Sequence, residues 1–359
     1  LHELSKRKAH NVVTFQAEDE IAGVSSAIGA SFSGSLGVTT TSGPGMSLKS
    51  EAIGLAVMTE LPLVVVDVQR AGPSTGMPTK PEQADLLQAM FGRNGEPPGP
   101  VLAAKSPSDC FDTALEACRI AVTYRTPVIM LSDGYLGNGA EPWKVPDLAE
   151  IPRIDPHFAT EPNTTAADGS PRFMPYRRDP QTLARPWALP GTKGLEHRVG
   201  GLEKSAHTGA ISYDPANHEE MVATRAAKVK GIAKTIPPTA VDDPSGDADV
   251  LVLGWGSAYG PITAAVRRVR ARGLSIAQAH VRHLNPLPED LGDVLRRYRQ
   301  IVVPEMNTGQ FAMLLRSKYL IDVKTISRVR GLPISPVDLC DELCRHCGDS
   351  KGSDDTREA

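Results

Sequence analysis

Apolar residues along the first part of the chain fall into two alternating rhythms. Short runs at 11–17, 38–41, 61–68, 101–104 and 127–132 predict strands. Between them, apolar side chains recur on one face, as at Ile21, Val24 and Ile28, and predict helices over 19–31, 46–59 and 108–124. Leu61-Pro-Leu-Val-Val-Val-Asp-Val is almost uninterrupted, the pattern of a parallel strand covered on both faces. The alternation predicts an α/β fold, a doubly wound parallel sheet over 1–150.

The rhythm breaks after residue 137. Prolines recur from Pro142 to Pro190 and interrupt any long element, so 151–245 reads as an extended crossing segment that wraps a neighbour and ends in a helix over 217–232. Phe158, Phe173, Tyr176, Trp187 and Tyr213 need burial, which argues against a disordered linker. A second doubly wound unit is expected over 246–347, with strands at 250–253, 275–281 and 300–304 and helices at 260–272 and up to Leu320. Residues 348–359 are polar and read as a disordered tail. The chain begins at Leu1, and LHELSKRKAHN reads as the second half of an amphipathic helix, so a longer natural chain is expected. No signal-peptide pattern is present in the sequence.

Composition narrows the classes. A length of 359 residues suits two domains, and 40% hydrophobic with 5% aromatic residues suits a soluble protein. No apolar run approaches the roughly 18 residues of a membrane span. A net charge of -3 argues against a nucleic-acid footprint. The 5 cysteines without regular spacing suggest a reducing compartment and a cytoplasmic protein.

The candidate chemistry sits in two loops. Thr39-Thr-Thr-Ser42-Gly43-Pro44-Gly45-Met46 and Gln69-Arg70-Ala-Gly-Pro-Ser74-Thr75-Gly76 each start where a predicted strand ends and a helix is about to begin. In an open α/β sheet, ligands bind outside the carboxyl ends of the strands. Glu18, Asp19 and Glu20 lie where the first run meets the first helix. Asp19 and Glu20 suit the helix N-terminus electrostatically, whereas Glu18 is placed to point into a cleft beside Gly43 and Gly45 and exchange a proton with a ligand nitrogen. Arg70 either holds a ligand carboxylate bidentately or forms a surface pair with Glu82 or Asp85. Glu96 and Asp133 are weaker candidates.

Two further motifs have ordinary readings. Gly254-Trp-Gly256-Ser257-Ala-Tyr-Gly260 has the spacing GxGxxxG, and the next strand ends in His280-Val-Arg282-His283 without a ribose-binding acid. A tight strand-to-helix turn fits it better than a dinucleotide site. Cys340, Cys344 and Cys347 with His346 either pack on a terminal helix or form part of a metal cluster. No GxxxxGK[ST], GxSxG, HExxH or paired CxxC motif occurs, and Ser132-Asp133-Gly134 is the nearest approach to a magnesium-binding Gly-Asp-Gly. A ligand cradle without its own phosphate or metal anchor reads as half a site.

The runs FQAEDEIAGVSSAIGAS, TTTSGPGMSLKSEAIGLA, ELPLVVVDVQRAGPSTGMPTKPEQADLLQ and LSDGYLGNG, with VRHLNPLPED and PEMNTGQFAMLLRSKYL, resemble the α subunit of 2-oxoacid:ferredoxin oxidoreductases, most closely the 2-oxoglutarate type. The resemblance covers about residues 11–345. It implies a thiamine diphosphate pyrimidine-binding domain, then the crossing segment, then a transketolase C-terminal-like domain. It further implies a β subunit carrying the diphosphate, Mg2+ and [4Fe-4S] sites, in a heterodimer or dimer of heterodimers, with ferredoxin, coenzyme A and the 2-oxoacid as partners. The implied reaction converts 2-oxoglutarate and coenzyme A to succinyl-CoA, CO2 and reduced ferredoxin. The alternatives are pyruvate or a branched-chain 2-oxoacid as substrate, or a non-catalytic assembly subunit. By this resemblance Glu18 contacts the pyrimidine N1′, Ser42, Gly43, Pro44 and Gly45 line the cofactor, and Arg70 and Thr75 meet the 2-oxoacid. Lys49 stands where many relatives carry Met, and either attracts a second carboxylate or is a solvated lysine. The family's Tyr-Pro-Ile-Thr-Pro motif is expected upstream of Leu1.

Overall fold

The computed structural model describes residues 2–349. Two five-stranded sheets carry the architecture. In the first, the order is Gly37–Thr41, Leu63–Gln69, Pro127–Asp133, Val101–Ala103 and His283–Asn285. The first four are parallel and the last is antiparallel. In the second, the order is Val323–Ser327, Gln300–Glu305, Val250–Trp255, Ala277–Val281 and Val241–Asp242, parallel except at the last pairing. Pro127–Asp133 is buried along its whole length, as a central parallel strand should be.

The two units are not sealed from one another. His283–Asn285 leaves the second unit to pair with Val101–Ala103 and so covers an edge that would otherwise expose unpaired backbone groups. One apolar cluster runs through both, from Leu63, Val65 and Leu131 to Leu251, Val281 and Phe311.

Several local expectations need correction. Residues 12–17 form no strand, and Val12, Val13 and Phe15 are exposed. A strand needs a partner, and the edge of the first sheet is Gly37–Thr41. The helix expected over 46–59 is two, Gly43–Leu48 and Ser50–Thr59. They part at Lys49, whose backbone N–H is drawn to the carbonyls of Gly45 and Ser47. The first long helix is Glu20–Phe32, capped by Asp19, whose carboxylate accepts the Ala22 N–H at 2.7 Å. It lies so close to the sheet that a Cβ on Gly37 would come within 2.1 Å of the Ala27 carbonyl oxygen.

The crossing segment packs on the chain's own first unit. Trp187 and Tyr176 are buried, and Phe158 and Phe173 are half-buried. Tyr213, expected inside, is 86% exposed. It precedes the Asp214 cap of the helix Pro215–Gly231, and that turn carries its ring outward. The indole N–H of Trp187 donates to the Ser31 carbonyl at 3.2 Å, and Arg185 Nε donates to the Thr59 carbonyl at 3.1 Å. At the far end, the helix Pro336–Asp349 buries Cys340 and Cys347 against the helix Tyr259–Ala271, with Cys344 at the margin. Gly348 and Asp349 continue that helix; the rest of the expected tail, 350–359, lies outside the described residues.

Candidate active site

The carboxyl ends of adjacent parallel strands bring the two predicted loops together. Thr41 is in register with Asp67, and Gln69 with Asp133, so Ser42–Gly45 and Arg70–Gly76 emerge side by side. Gly43 and Gly45 open the short helix Gly43–Leu48, with Ser42 at its cap and Pro44 in its first turn. Their lack of a side chain is enforced from behind. A Cβ on Gly45 would lie 2.2 Å from Thr41 Oγ1 and 2.8 Å from Glu20 Cγ. On Gly43 it would lie 2.8 Å from both carboxylate oxygens of Asp85.

The acids behind the loop, where a Cβ on Gly45 or Gly43 would point, are therefore Glu20 and Asp85. The chain enters its helix with Asp19 extended (φ -144°, ψ 178°), and this swings the first helical residue, Glu20, over Gly45. Glu18 is exposed on the approach to the helix.

Lys49 is not a solvated lysine. It is 2% exposed, and its ammonium donates to the Glu20 carbonyl at 3.0 Å. Burial pulls its pKa down from the usual lysine value, while Glu20 and Asp19 pull it back up. Its chemistry is to hold the start of one helix against the start of another, beneath the glycine loop.

Arg70 is half-buried, its Nε has no hydrogen-bond partner, and among the described residues it forms no ion pair with Glu82 or Asp85. The surface-pair alternative is thereby removed. Its loop is held by Ala71 N–H donating to the Lys80 carbonyl at 2.9 Å and Met77 N–H to the Ala71 carbonyl at 3.0 Å. Ser74 and Gly76 take positive φ, 52° and 48°, and Thr75 is exposed between them.

Sequence reasoning missed a carboxyl pair. Asp67 is fully buried on the strand Leu63–Gln69 and meets Asp85. Burial pushes Asp67 well above the usual carboxylate range, and the Asp85 charge adds to it. Burial also raises Asp85 to about 6, with Asp67 and Arg70 drawing it back down and Glu82 pushing it up. Asp67, the more deeply buried of the two, is the one more strongly held in its protonated form. The signal was visible: Asp67 is the charged residue inside an otherwise apolar strand.

Of the weaker candidates, Asp133 has a structural role. Asp133 accepts the Tyr135 and Leu136 N–H groups at 2.9 and 3.1 Å and contacts the Ser257 hydroxyl, joining the two units. Glu96 lies on an exposed loop. The Gly254–Gly260 segment is a tight turn: Gly256 has φ 57°, and a Cβ there would meet Gln83 Nε2 at 2.8 Å. Among the described residues, no group of three or more His, Cys, Asp or Glu is placed to hold a metal ion.

Residues 1–212 match the family described as pyruvate flavodoxin/ferredoxin oxidoreductase, thiamine diphosphate-binding, and residues 248–339 match core domain II of pyruvate:ferredoxin oxidoreductase. The chain belongs to this family. It is 60% identical over 345 residues to the 2-oxoglutarate oxidoreductase subunit KorA of Mycobacterium tuberculosis, covering 96% of this chain and 51% of the relative. It is 34% identical over 302 residues to the 2-oxoglutarate synthase subunit KorA of Methanothermobacter marburgensis, covering 83% of this chain and 76% of the relative. The structure resembles the 2-oxoglutarate:ferredoxin oxidoreductase of Magnetococcus marinus, solved with 2-oxoglutarate, coenzyme A and succinyl-CoA bound, with a TM-score of 0.86 and 34% identity over 96% of this chain and 59% of that one. A split-gene transketolase, 11% identical with a TM-score of 0.51, shares the fold alone. The chain thus spans about half the length of the mycobacterial relative.

Proposed function

We propose that this chain supplies half of the active site of a 2-oxoacid:ferredoxin oxidoreductase that oxidatively decarboxylates 2-oxoglutarate with coenzyme A, giving succinyl-CoA, CO2 and reduced ferredoxin. The observation that carries the reading is Arg70: a half-buried guanidinium without an ion-pair partner among the described residues, at a strand's carboxyl end and beside the glycine loop. The names of the similar KorA subunits, and the 2-oxoglutarate and coenzyme A in the similar structure, support the substrate choice.

The residues suit thiamine diphosphate. Gly43 and Gly45 keep the loop free of side chains, and Glu18 is an exposed carboxylate just before the helix whose first residue, Glu20, packs on Gly45. When bound, the cofactor supplies the carbon nucleophile and the electron sink for loss of CO2. Glu18 would hold the pyrimidine N1′ and its proton, Ser42, Gly43, Pro44 and Gly45 would line the ring, and Arg70 with Thr75 would orient the 2-oxoacid carboxylate. A β subunit would complete the site with the diphosphate, Mg2+ and [4Fe-4S] groups, in a cytoplasmic heterodimer or dimer of heterodimers that reduces ferredoxin.

Anaerobic dye reduction with coenzyme A, comparing 2-oxoglutarate, pyruvate and branched-chain 2-oxoacids, tests this on the protein with its co-purifying subunits. Glu18→Gln should keep the melting temperature and lower kcat at least 100-fold, in line with the scale of a lost proton-transfer group. Arg70→Ala should raise KM for the 2-oxoacid about tenfold or more while cofactor affinity holds. Unchanged kcat in the first variant removes Glu18 from the mechanism. Collapse of cofactor affinity in the second reassigns Arg70.

A further inference from the structure

The amino ends of the first sheet's strands border a cavity of about 710 Å³ between the helix Asp109–Tyr124 and the crossing segment. Small-molecule sites run roughly 300–1,000 Å³. The wall is dominated by arginine: Arg119, Arg125, Arg153, Arg177, Arg178 and Arg185. Its acids are Asp155 and Asp179.

Ion pairing accounts for part of this charge. Arg119 is paired with Glu116 at 2.7 Å, and Arg178 with Glu60 at 2.5 Å. Arg125, Arg153, Arg177 and Arg185 have no ion-pair partner among the described residues. Asp179 is spent on the N–H groups of Gln181 and Thr182, at 3.0 and 2.7 Å, and Asp155 lies 3.6 Å from His157.

Arg125 is the telling residue. It is 6% exposed, lies 5.0 Å over the Trp187 ring, and contacts the Pro156 carbonyl through Nη2. Its Nε and Nη1 are buried with no partner. A buried guanidinium with two idle donors is costly unless an anion meets it. Arg185 beside it is 5% exposed and makes its hydrogen bonds to the carbonyls of Thr59 and Pro186 and to His197, none of them an anion. Burial and the neighbouring Arg185 charge hold Arg125 down to about 10, against a smaller upward pull from Asp155.

We propose that this cavity binds a small molecule bearing at least two oxyanion groups, phosphate or carboxylate, with Arg125 and Arg185 at its floor and Arg153 and Arg177 at its rim. The arginine fork grips such groups bidentately. The site lies at the opposite edge of the sheet from the glycine loop: the strand Pro127–Asp133, 7 residues long, begins next to Arg125 and ends at the loops. Seven strand residues span about 23 Å.

Calorimetric titration of the protein, with its co-purifying subunits, against inorganic pyrophosphate and separately against citrate provides the test. Saturable binding of either that the cavity variants weaken supports the site, and which one binds names the oxyanion. Arg153 and Arg177 are exposed, so the double variant Arg153→Glu with Arg177→Glu should melt at the parent temperature and bind at least tenfold more weakly. Arg125→Gln should abolish binding, and the rim variant keeps the test decisive if that protein does not fold. Absence of saturable binding of both anions, or binding unaltered in the rim variant, overturns the proposal.

Discussion

Asp67 and Asp85 face each other beneath the glycine loop, and their chemistry has a direction in pH. Both are raised in the fold, Asp85 to about 6, against ordinary unfolded carboxylates. A raised acid favours the protonated form, so its contribution to stability is complete below the unfolded value and is lost as pH rises through the folded one. Asp67→Asn removes one charge and keeps a donor for Asp85. Thermal melts from pH 5 to 8 should show the parent losing stability with rising pH, and the variant with a shallower slope and a higher midpoint at pH 8. An unaltered slope would show that the Asp67 charge does not act on Asp85. At this scale the loops and Arg70 were readable as residue types at strand ends, whereas the absence of an ion pair on Arg70 among the described residues was not. Which acid backs each glycine was not, because Asp85 reaches Gly43 from across the sheet, 42 positions along by the difference of their numbers.

Glu60 shows how the elements are tied. It ends the helix Ser50–Thr59 in a left-handed conformation, φ 50°, and accepts from Arg178 of the crossing segment and from Lys228 of the helix Pro215–Gly231. Burial alone would raise its carboxyl; Lys228 and Arg178 overcome that and hold it at about 2. A lowered acid stabilises fully above its unfolded value and loses that contribution as pH falls toward the folded one, here between the ordinary 4.5 and about 2. Glu60→Gln leaves two buried cations uncompensated, so denaturant unfolding at pH 7 should show a loss of about 3–5 kcal/mol. The crossing segment should also become the first site of proteolysis. A variant as stable and as protease-resistant as the parent would mean the segment is held by Trp187 and Tyr176 instead. The aromatic anchors were legible in the sequence; the ion triad was not, since its partners are 118 and 168 positions from Glu60.

Across the whole molecule, the two sheets meet at Gln83. Its side chain donates to the Trp255 carbonyl at 2.9 Å and accepts the Met306 N–H at 3.0 Å, while its own carbonyl accepts from Asn307 at 2.8 Å. Gln83→Ala orphans two buried backbone groups, at about 1–3 kcal/mol each. Scanning calorimetry should show a lower midpoint and a broader transition as the units decouple; a single sharp transition at the parent temperature would exclude Gln83 as the coupling point. The sequence by itself determined the two parallel-sheet units, the strand-end loops and the family resemblance, because periodicity, glycine and proline chemistry and motif spacing are local. Only the tertiary structure decided that His283–Asn285 completes the first sheet, that Lys49 turns inward to a carbonyl, that Glu20 and Asp85 back the glycine loop, and that arginines from separate segments line one cavity. Each of those depends on which distant segments pack together, and packing is settled by the whole core at once.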